Sequence, residues 1–322
     1  MSVKIIVDST VDLIPEIKEK VSVVPLTVRF GDEEYIDGVT INHQMFYQKL
    51  TETKELPSTS QASPAAFDTE FAKVKESGDT AVVITVSSQL SGTYQSAVIA
   101  ADDYEGICVV DSKSVAIGSA ILAEYALLLA ERGMTAEQIA AELDKKKDDI
   151  CLFAILDTLE YLKRGGRISS TVAFAGALLN IKPMAQIKDG KIDVMGKARG
   201  LNQGYTMLLD EIERVGGIDY DMPLLFGYTG LSADSLNNFI DRSGDTLKAG
   251  INTTCIGSVI GTHAGREPSP SHFLGNKSVH KKSRWRLLMF NRQRVFYYYF
   301  FAFLLYLISS YFSSQRAATS GE

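Results

Sequence analysis

The chain has 322 residues, enough for two domains of ordinary size and at least one substantial core. Apolar residues make up 45% and charged residues 22%, which excludes disordered and collagen-like architectures. Cys108, Cys151 and Cys255 are too few and too scattered for a disulfide framework or a zinc module. The start, Met-Ser-Val-Lys-Ile-Ile-Val-Asp, lacks a long apolar run ending at a small-residue cleavage site, so a cytoplasmic protein is expected. Charge is unevenly spread. Residues 266–322 carry nine Lys/Arg against two Asp/Glu, whereas residues 1–265 carry 24 against 37. A reversal of that size marks a boundary.

Residues 1–265 alternate between strand and helix patterns. Val3–Val7 is an apolar strand that stops at Asp8-Ser9-Thr10, polar residues suited to a strand-to-helix loop. Val21–Phe30 and Glu33–Ile36 flank Gly31-Asp32 as a hairpin, with Pro25 arguing for an edge position. Ser63-Pro64 reads as an N-cap and a first-turn proline, with Phe67, Phe71 and Val74 at helical spacing behind it. Thr80–Val86 and Gly106–Asp111 are buried strands, and Thr93–Ala101 between them is a helix. Ile117–Arg132 and Ala136–Lys147 are long helices. Cys151–Leu156 is a strand, Val172–Leu179 a helix of small and large apolar residues, and Asp189-Gly190 a hairpin turn. Pro223–Tyr228 and Thr253–Ile260 supply two more strands around an Ala233–Arg242 helix. The alternation predicts an α/β protein of two domains. Residues 1–156 form a largely parallel sheet flanked by helices, and 157–265 an α/β domain with a mixed sheet.

The familiar catalytic signatures are missing. There is no Gly-x-Gly-x-x-Gly, no Walker loop, no His-Glu-x-x-His and no Cys-x-x-Cys, and four histidines make a multi-histidine metal site improbable. Two hydroxyl-rich stretches stand out instead: Pro57–Pro64 leads into one helix and Val86–Tyr94 into another. Such loops aim hydroxyls and unpaired backbone N–H groups at one spot, which suits an anion; ordinary helix capping would use the same residues. Gly92 leaves room for a ligand to approach the backbone. Gly261-Thr262-His263-Ala264-Gly265 offers a lone histidine after a strand. Lys163–Arg199 carries eight Lys/Arg and two Asp in an otherwise acidic body, a face able to steer an acidic partner or a phosphate.

These stretches resemble the DegV family of bacterial lipid-binding proteins. Asp8-Ser9-Thr10-Val11-Asp12-Leu13 is similar to its opening motif, and Thr59-Ser60-Gln61-Ala62-Ser63-Pro64 to its second, with Ala62 in place of a proline. Ser87–Ala97, Asp157–Ile168 and Ile260–Gly265 match three more in the family's order. The resemblance implies a non-enzymatic carrier without cofactor or metal. It would hold one long-chain fatty acid in a tunnel between two domains and present the carboxyl group to a separate ATP-dependent fatty acid kinase. By motif position the carboxylate would meet Thr59, Ser91 and His263, with Ser60 and Gly92 adjacent. Arg199 would face the kinase, with Arg164 and Arg167 as further candidates. The competing class is a serine hydrolase using Ser91 with His263 as base. Ser91 lacks the glycine two residues upstream that a nucleophile elbow carries.

After Gly265 the chain departs from the family, which continues into Pro-Gly and an apolar strand and ends there. One permitted back-translation of Arg266–Asn276, preceded by a single C and re-read, encodes Pro-Gly-Ala-Ile-Ala-Ile-Ala-Phe-Leu-Gly-Lys and then a stop. Residues 266–322 are therefore expected to be out-of-frame translation. Val295–Phe312 has about the ~18-residue length of a marginal membrane span behind a basic flank, and its basic and aromatic residues also fit a nucleic-acid arm. Neither role is expected of an out-of-frame tail, so no membrane or nucleic-acid partner is assigned. Arg266–Ser271, with two prolines, is expected to leave the neighbouring strand of the second domain without a partner.

Overall fold

The structure, a computed structural model, describes residues 2–53, 55–169, 180–244, 247 and 251–265, with 272–275 described as backbone. Residues 1–277 form one compact unit. The expected helix at Val172–Leu179 and the features expected of the tail, Val295–Phe312 among them, lie outside the described residues.

The first half of the unit contains β1 (Val3–Asp8), α1 (Pro15–Lys18), β2 (Ser22–Val24), β3 (Thr27–Phe30), β4 (Glu33–Ile36), α2 (His43–Glu52), β5 (Ser58–Ser60), α3 (Pro64–Ser77), β6 (Thr80–Thr85), α4 (Thr93–Ala101), β7 (Ile107–Asp111), α5 (Ala116–Glu131) and α6 (Ala136–Lys146). Its main sheet has the order β2-β1-β6-β7 and is parallel throughout. The two central strands are apolar on both faces because helices cover both. Ile5, Val7, Val82 and Ile84 pack with α5 and α6 on one side. Ile6, Ala81 and Val83 pack with α3 and α4 on the other. β2 is an edge strand and ends before Pro25, which has no N–H to continue the ladder. The run Val21–Phe30 is thus two strands in two sheets, since β3 joins β4 and β5 in a small antiparallel sheet ordered β4-β3-β5. Ser63 caps α3 by accepting the Ala66 N–H at 3.2 Å, and Phe67, Phe71 and Val74 face inward as their spacing predicts.

The second half contains β8 (Leu152–Ile155), α7 (Glu160–Arg164), β9 (Ile181–Lys188), β10 (Lys191–Arg199), α8 (Gly200–Arg214), β11 (Leu225–Tyr228), α9 (Asp234–Ser243), β12 (Asn252–Cys255), α10 (Ser258–Ala264) and β13 (His272–Gly275). The sheet order is β10-β9-β8-β13-β11-β12. It is mixed: β11 and β12 are parallel and the other pairs antiparallel. Asp189 and Gly190, at φ 51° and 77°, make the left-handed two-residue turn that a hairpin of this kind uses.

Two further expectations are corrected. The strand expected over Thr253–Ile260 ends at Cys255, and α10 begins three residues later. Long-range contacts override the β propensity of Val259-Ile260: Thr254 Oγ1 donates to Leu13 O at 3.1 Å, and the Gly257 N–H donates to Asp12 Oδ1 at 2.8 Å. The first ties the end of β12 to the first half and the second ties the N-cap of α10 there, where the helix packs against α2, β3 and β5. A Cβ at Gly261 would stand 2.6 Å from Phe46 and from the Tyr47 hydroxyl, so glycine is what lets α10 sit this close to α2. The second correction concerns the strand beyond Gly265. β13 lies between β8 and β11 and pairs with both, so neither neighbour is left without a partner.

Candidate functional site

A cavity is lined by residues of both halves. One wall is apolar by strand alternation. Leu152, Ala154 and Leu156 are every second residue along β8 and all face the cavity, so the wall runs ~13 Å at ~3.3 Å per residue. On the adjoining strand Ala185 is directly opposite Ala154, with Ile187 beyond it. Their neighbours Phe153, Ile155 and Met184 point to the other side of the sheet, into the core beneath α8 and α9.

A polar cluster belongs to the same cavity: Thr59 on β5, Ser91 before α4, Arg167 after α7, and His263 on α10. Thr59 Oγ1 and His263 Nε2 are hydrogen-bonded at 3.0 Å across 204 residues of sequence. Ser91 Oγ shares a 2.9 Å hydrogen bond with Thr93 Oγ1. Arg167 binds the cluster together. Its Nε donates to Leu90 O at 3.2 Å, next to Ser91, and its Nη1 donates to Gly165 O at 2.6 Å, beside His263. Burial, reinforced by the positive charge of Arg167, pushes His263 down to about 4, so the imidazole is neutral at pH 7. Burial also lowers Arg167 from its ordinary value, although a guanidinium stays charged in proteins. The cluster therefore presents two hydroxyls, a neutral imidazole and a cation to a cavity whose remaining described lining is aliphatic apart from Thr10, Gln61 and Gln186.

Buried carboxylates hold the loops that carry these groups. Asp8 accepts the Val86 N–H at 2.6 Å and both the N–H and the hydroxyl of Thr10 at 2.9 and 2.6 Å. It thereby fixes the ends of β1 and β6 at the cavity edge. Asp12 and Asp37 are also buried, and burial raises all three carboxyls, Asp12 most clearly. Among the described residues no group of three or more His, Cys, Asp or Glu is arranged to hold a metal ion.

Of the residues expected at the site, Thr59, Ser91 and His263 line the cavity and Ser60 and Gly92 do not. Ser60 follows Thr59 on β5 and is exposed, because adjacent strand residues face opposite ways. Gly92 is the N-cap of α4, and the space a side chain would take there holds Gln61, whose amide donates to Ser96 Oγ at 2.9 Å. The three arginines separate. Arg164 is exposed and paired with Glu160 at 2.6 Å, and Arg199 is exposed at the end of β10. Arg167 lines the cavity instead of the outer surface. Nothing in Arg164-Gly165-Gly166-Arg167 separates the two by sequence; the turn after α7 does. Ser87 is fully buried, and its hydroxyl donates to Gly190 O at 2.7 Å, holding the tip of the β9–β10 hairpin.

The hydrolase arrangement is not formed. Ser91 is bonded to Thr93 and His263 to Thr59. Among the described residues His263 Nδ1 is buried with no hydrogen-bond partner, so none of them orients the ring from that side as a base.

Residues 2–268 match the family model described as uncharacterised protein, DegV family. A DegV domain-containing protein of Caldanaerobacter subterraneus is 34% identical over 281 residues, covering 84% of this chain and 98% of that protein. Among solved structures, a fatty-acid-binding DegV family protein from Thermus thermophilus is 31% identical, with a TM-score of 0.76 over 86% of this chain and 100% of that one. A stearic-acid-binding protein from Eubacterium ventriosum is 29% identical, with a TM-score of 0.76 over 87% and 100%. Among the described residues no helix is long and apolar enough to cross a membrane.

Proposed function

The chain belongs to the DegV family, and from that premise we propose that it is a carrier of one long-chain fatty acid, held in the cavity between its two halves. The observation that carries this reading is a cavity with a long, mainly aliphatic wall and a polar cluster that holds Arg167, the one cation among its described lining residues. A free fatty acid has that same polarity, an unbranched tail with one anionic end. Burying each methylene contributes ~0.8 kcal/mol, so a sixteen-carbon tail represents roughly 12 kcal/mol of transfer out of water. Thr59 and Ser91 donate hydroxyls to the carboxylate, Arg167 supplies the opposing charge, and His263 holds Thr59 in place. An arriving carboxylate also favours the imidazolium of His263, which strengthens the head-group contact. The test is native mass spectrometry of the purified protein, which is expected to carry a fatty acid adduct. A folded protein that carries none and takes up no palmitate defeats the reading.

The polar end then faces a second protein, an ATP-dependent fatty acid kinase to which the carboxyl group is presented. The support is the basic segment Lys163–Arg199, on which Arg164 and Arg199 are exposed. Arg199→Ala is expected to leave palmitate affinity unchanged and to slow phosphorylation of the bound lipid by the kinase. The difference shrinks at high salt, where steering is already screened. Loss of lipid in that variant would place Arg199 in the site instead. In this reading the two domains divide ahead of β8, a strand of the second sheet, a few residues before the boundary expected at residue 156, and 266–322 is a tail foreign to the family.

A further inference from the structure

We propose that Gly165 is a positioning residue of the head-group site: its missing side chain seats the His263 ring, and its carbonyl holds the Arg167 guanidinium. The backbone does not require glycine here. Gly165 caps α7 at φ −71° and ψ −8°, a conformation any L residue adopts. Space requires it. A Cβ on Gly165 would overlap Nδ1 of His263 and stand 2.8 Å from its Cε1. The contact is with an aromatic ring buried in the site, not with the free end of a flexible side chain, so it is relieved only by moving the ring. His263 Nδ1 has no hydrogen-bond partner among the described residues; the face of Gly165 is what the ring rests on. Its other nitrogen, Nε2, is thereby left 3.0 Å from Thr59 Oγ1. The same residue accepts Arg167 Nη1 at 2.6 Å. One residue thus fixes two of the four polar groups, and its neighbour Gly166, at φ 72° with open space around its Cβ, serves only the turn. α10 is anchored at its other end by Asp12 through the Gly257 N–H. His263 is consequently held from both sides by contacts distant in sequence.

The binding half of the test rests on the carrier reading; the titration half does not. Gly165→Ala is made in the full chain, alone and with His263→Ala, and each variant is titrated with palmitate. The His263 ring is followed by NMR against pH. Gly165→Ala alone is expected to weaken palmitate binding by tenfold or more. On the His263→Ala background it is expected to cost less than twofold, because the obstructing ring is gone. The His263 midpoint is expected to rise from about 4 towards the ordinary 6.5 as the ring leaves its buried seat. If Gly165→Ala does not fold but the double variant does, the clash with His263 is confirmed. Equal losses on both backgrounds, an unmoved His263 midpoint, or failure of both variants to fold overturns the proposal. A wild-type protein that ignores palmitate defeats the carrier reading alone, and the His263 titration still decides the role of Gly165.

Discussion

Removing Arg167 tests the charge balance of the site most directly. Arg167→Ala deletes the one cation among the described residues that line the cavity, with its bonds to Leu90 O and Gly165 O. A hydrogen bond to a charged group contributes about 1.5–3 kcal/mol, and each 1.4 kcal/mol is tenfold, so palmitate affinity is expected to fall roughly 10- to 150-fold. A second readout follows from the same charge. Arg167 helps hold His263 low, behind the larger effect of burial; without it the His263 midpoint rises, but only part of the way. Arg167→Lys keeps the charge without the planar fork that reaches two carbonyls, and is expected to fall between wild type and alanine. Isothermal titration with palmitate and an NMR pH titration of His263 measure both effects. Wild-type affinity in Arg167→Ala, together with an unmoved His263, would refute the assignment of Arg167 to the head group.

Ser91→Ala is expected to weaken palmitate binding about tenfold with little change in melting temperature, since among the described residues the Ser91 hydroxyl bonds only Thr93. Ser87→Ala is expected to do the reverse: it leaves Gly190 O without its donor, which costs about 1–3 kcal/mol and should lower the melting temperature by several degrees. Asp8, Asp12 and Asp37 are raised by burial, so the folded chain keeps protons that the unfolded chain releases. Their contribution to stability falls as pH rises from ~3.9 through the folded values. Asp12→Asn should therefore raise the melting temperature at pH 8 and leave it unchanged in acid, and a fall at pH 8 would contradict that sign. A chain carrying the restored frame from residue 266 is expected to melt higher and retain more fatty acid than the 322-residue form, because Ala-Ile-Ala-Ile replaces a stretch with two prolines ahead of β13. Equal melting and equal lipid content would remove the structural case for an out-of-frame tail.

Much of the fold is written locally. The Val/Ile runs of β1 and β6, the Ser63 cap of α3 and the Asp189-Gly190 turn each depend on neighbours a few residues away, and each forms where its pattern predicts. The failures differ in origin, one local and one distant. Val21–Phe30 reads as one strand until Pro25 hands the chain to a second sheet. Thr253–Ile260 reads as one strand until Asp12, 245 residues away, takes the Gly257 N–H and lets a helix begin. α10 then packs on the first half, so the element that completes the cavity opposite Thr59 comes from the far end of the described chain.

The site divides along the same line. The hydroxyl loops and His263 are visible in sequence because motifs preserve residue type and order. The role of a glycine is not, because it depends on which side chain arrives opposite it. Gly92 looks like open space for a ligand and is filled by Gln61; Gly165 looks like a turn residue and seats His263. The same logic governs the strand beyond Gly265. The slot between β8 and β11 needs only backbone donors and acceptors in register, and His272–Gly275 supplies them. The restored frame would place Ala-Phe-Leu-Gly at those four positions, so Phe-Leu-Gly falls at the same register in either reading. Pairing alone therefore cannot distinguish the two chains. What differs is the approach to the slot: Arg266–Ser271 contains two residues without an N–H, where the restored Pro-Gly-Ala-Ile-Ala-Ile has a single proline at its start and alternates as a sheet strand should. The difference between the two forms should accordingly appear in cohesion of the second sheet and in retention of the ligand beside Ala154, which pairs directly with residue 273, and not in whether the strand forms.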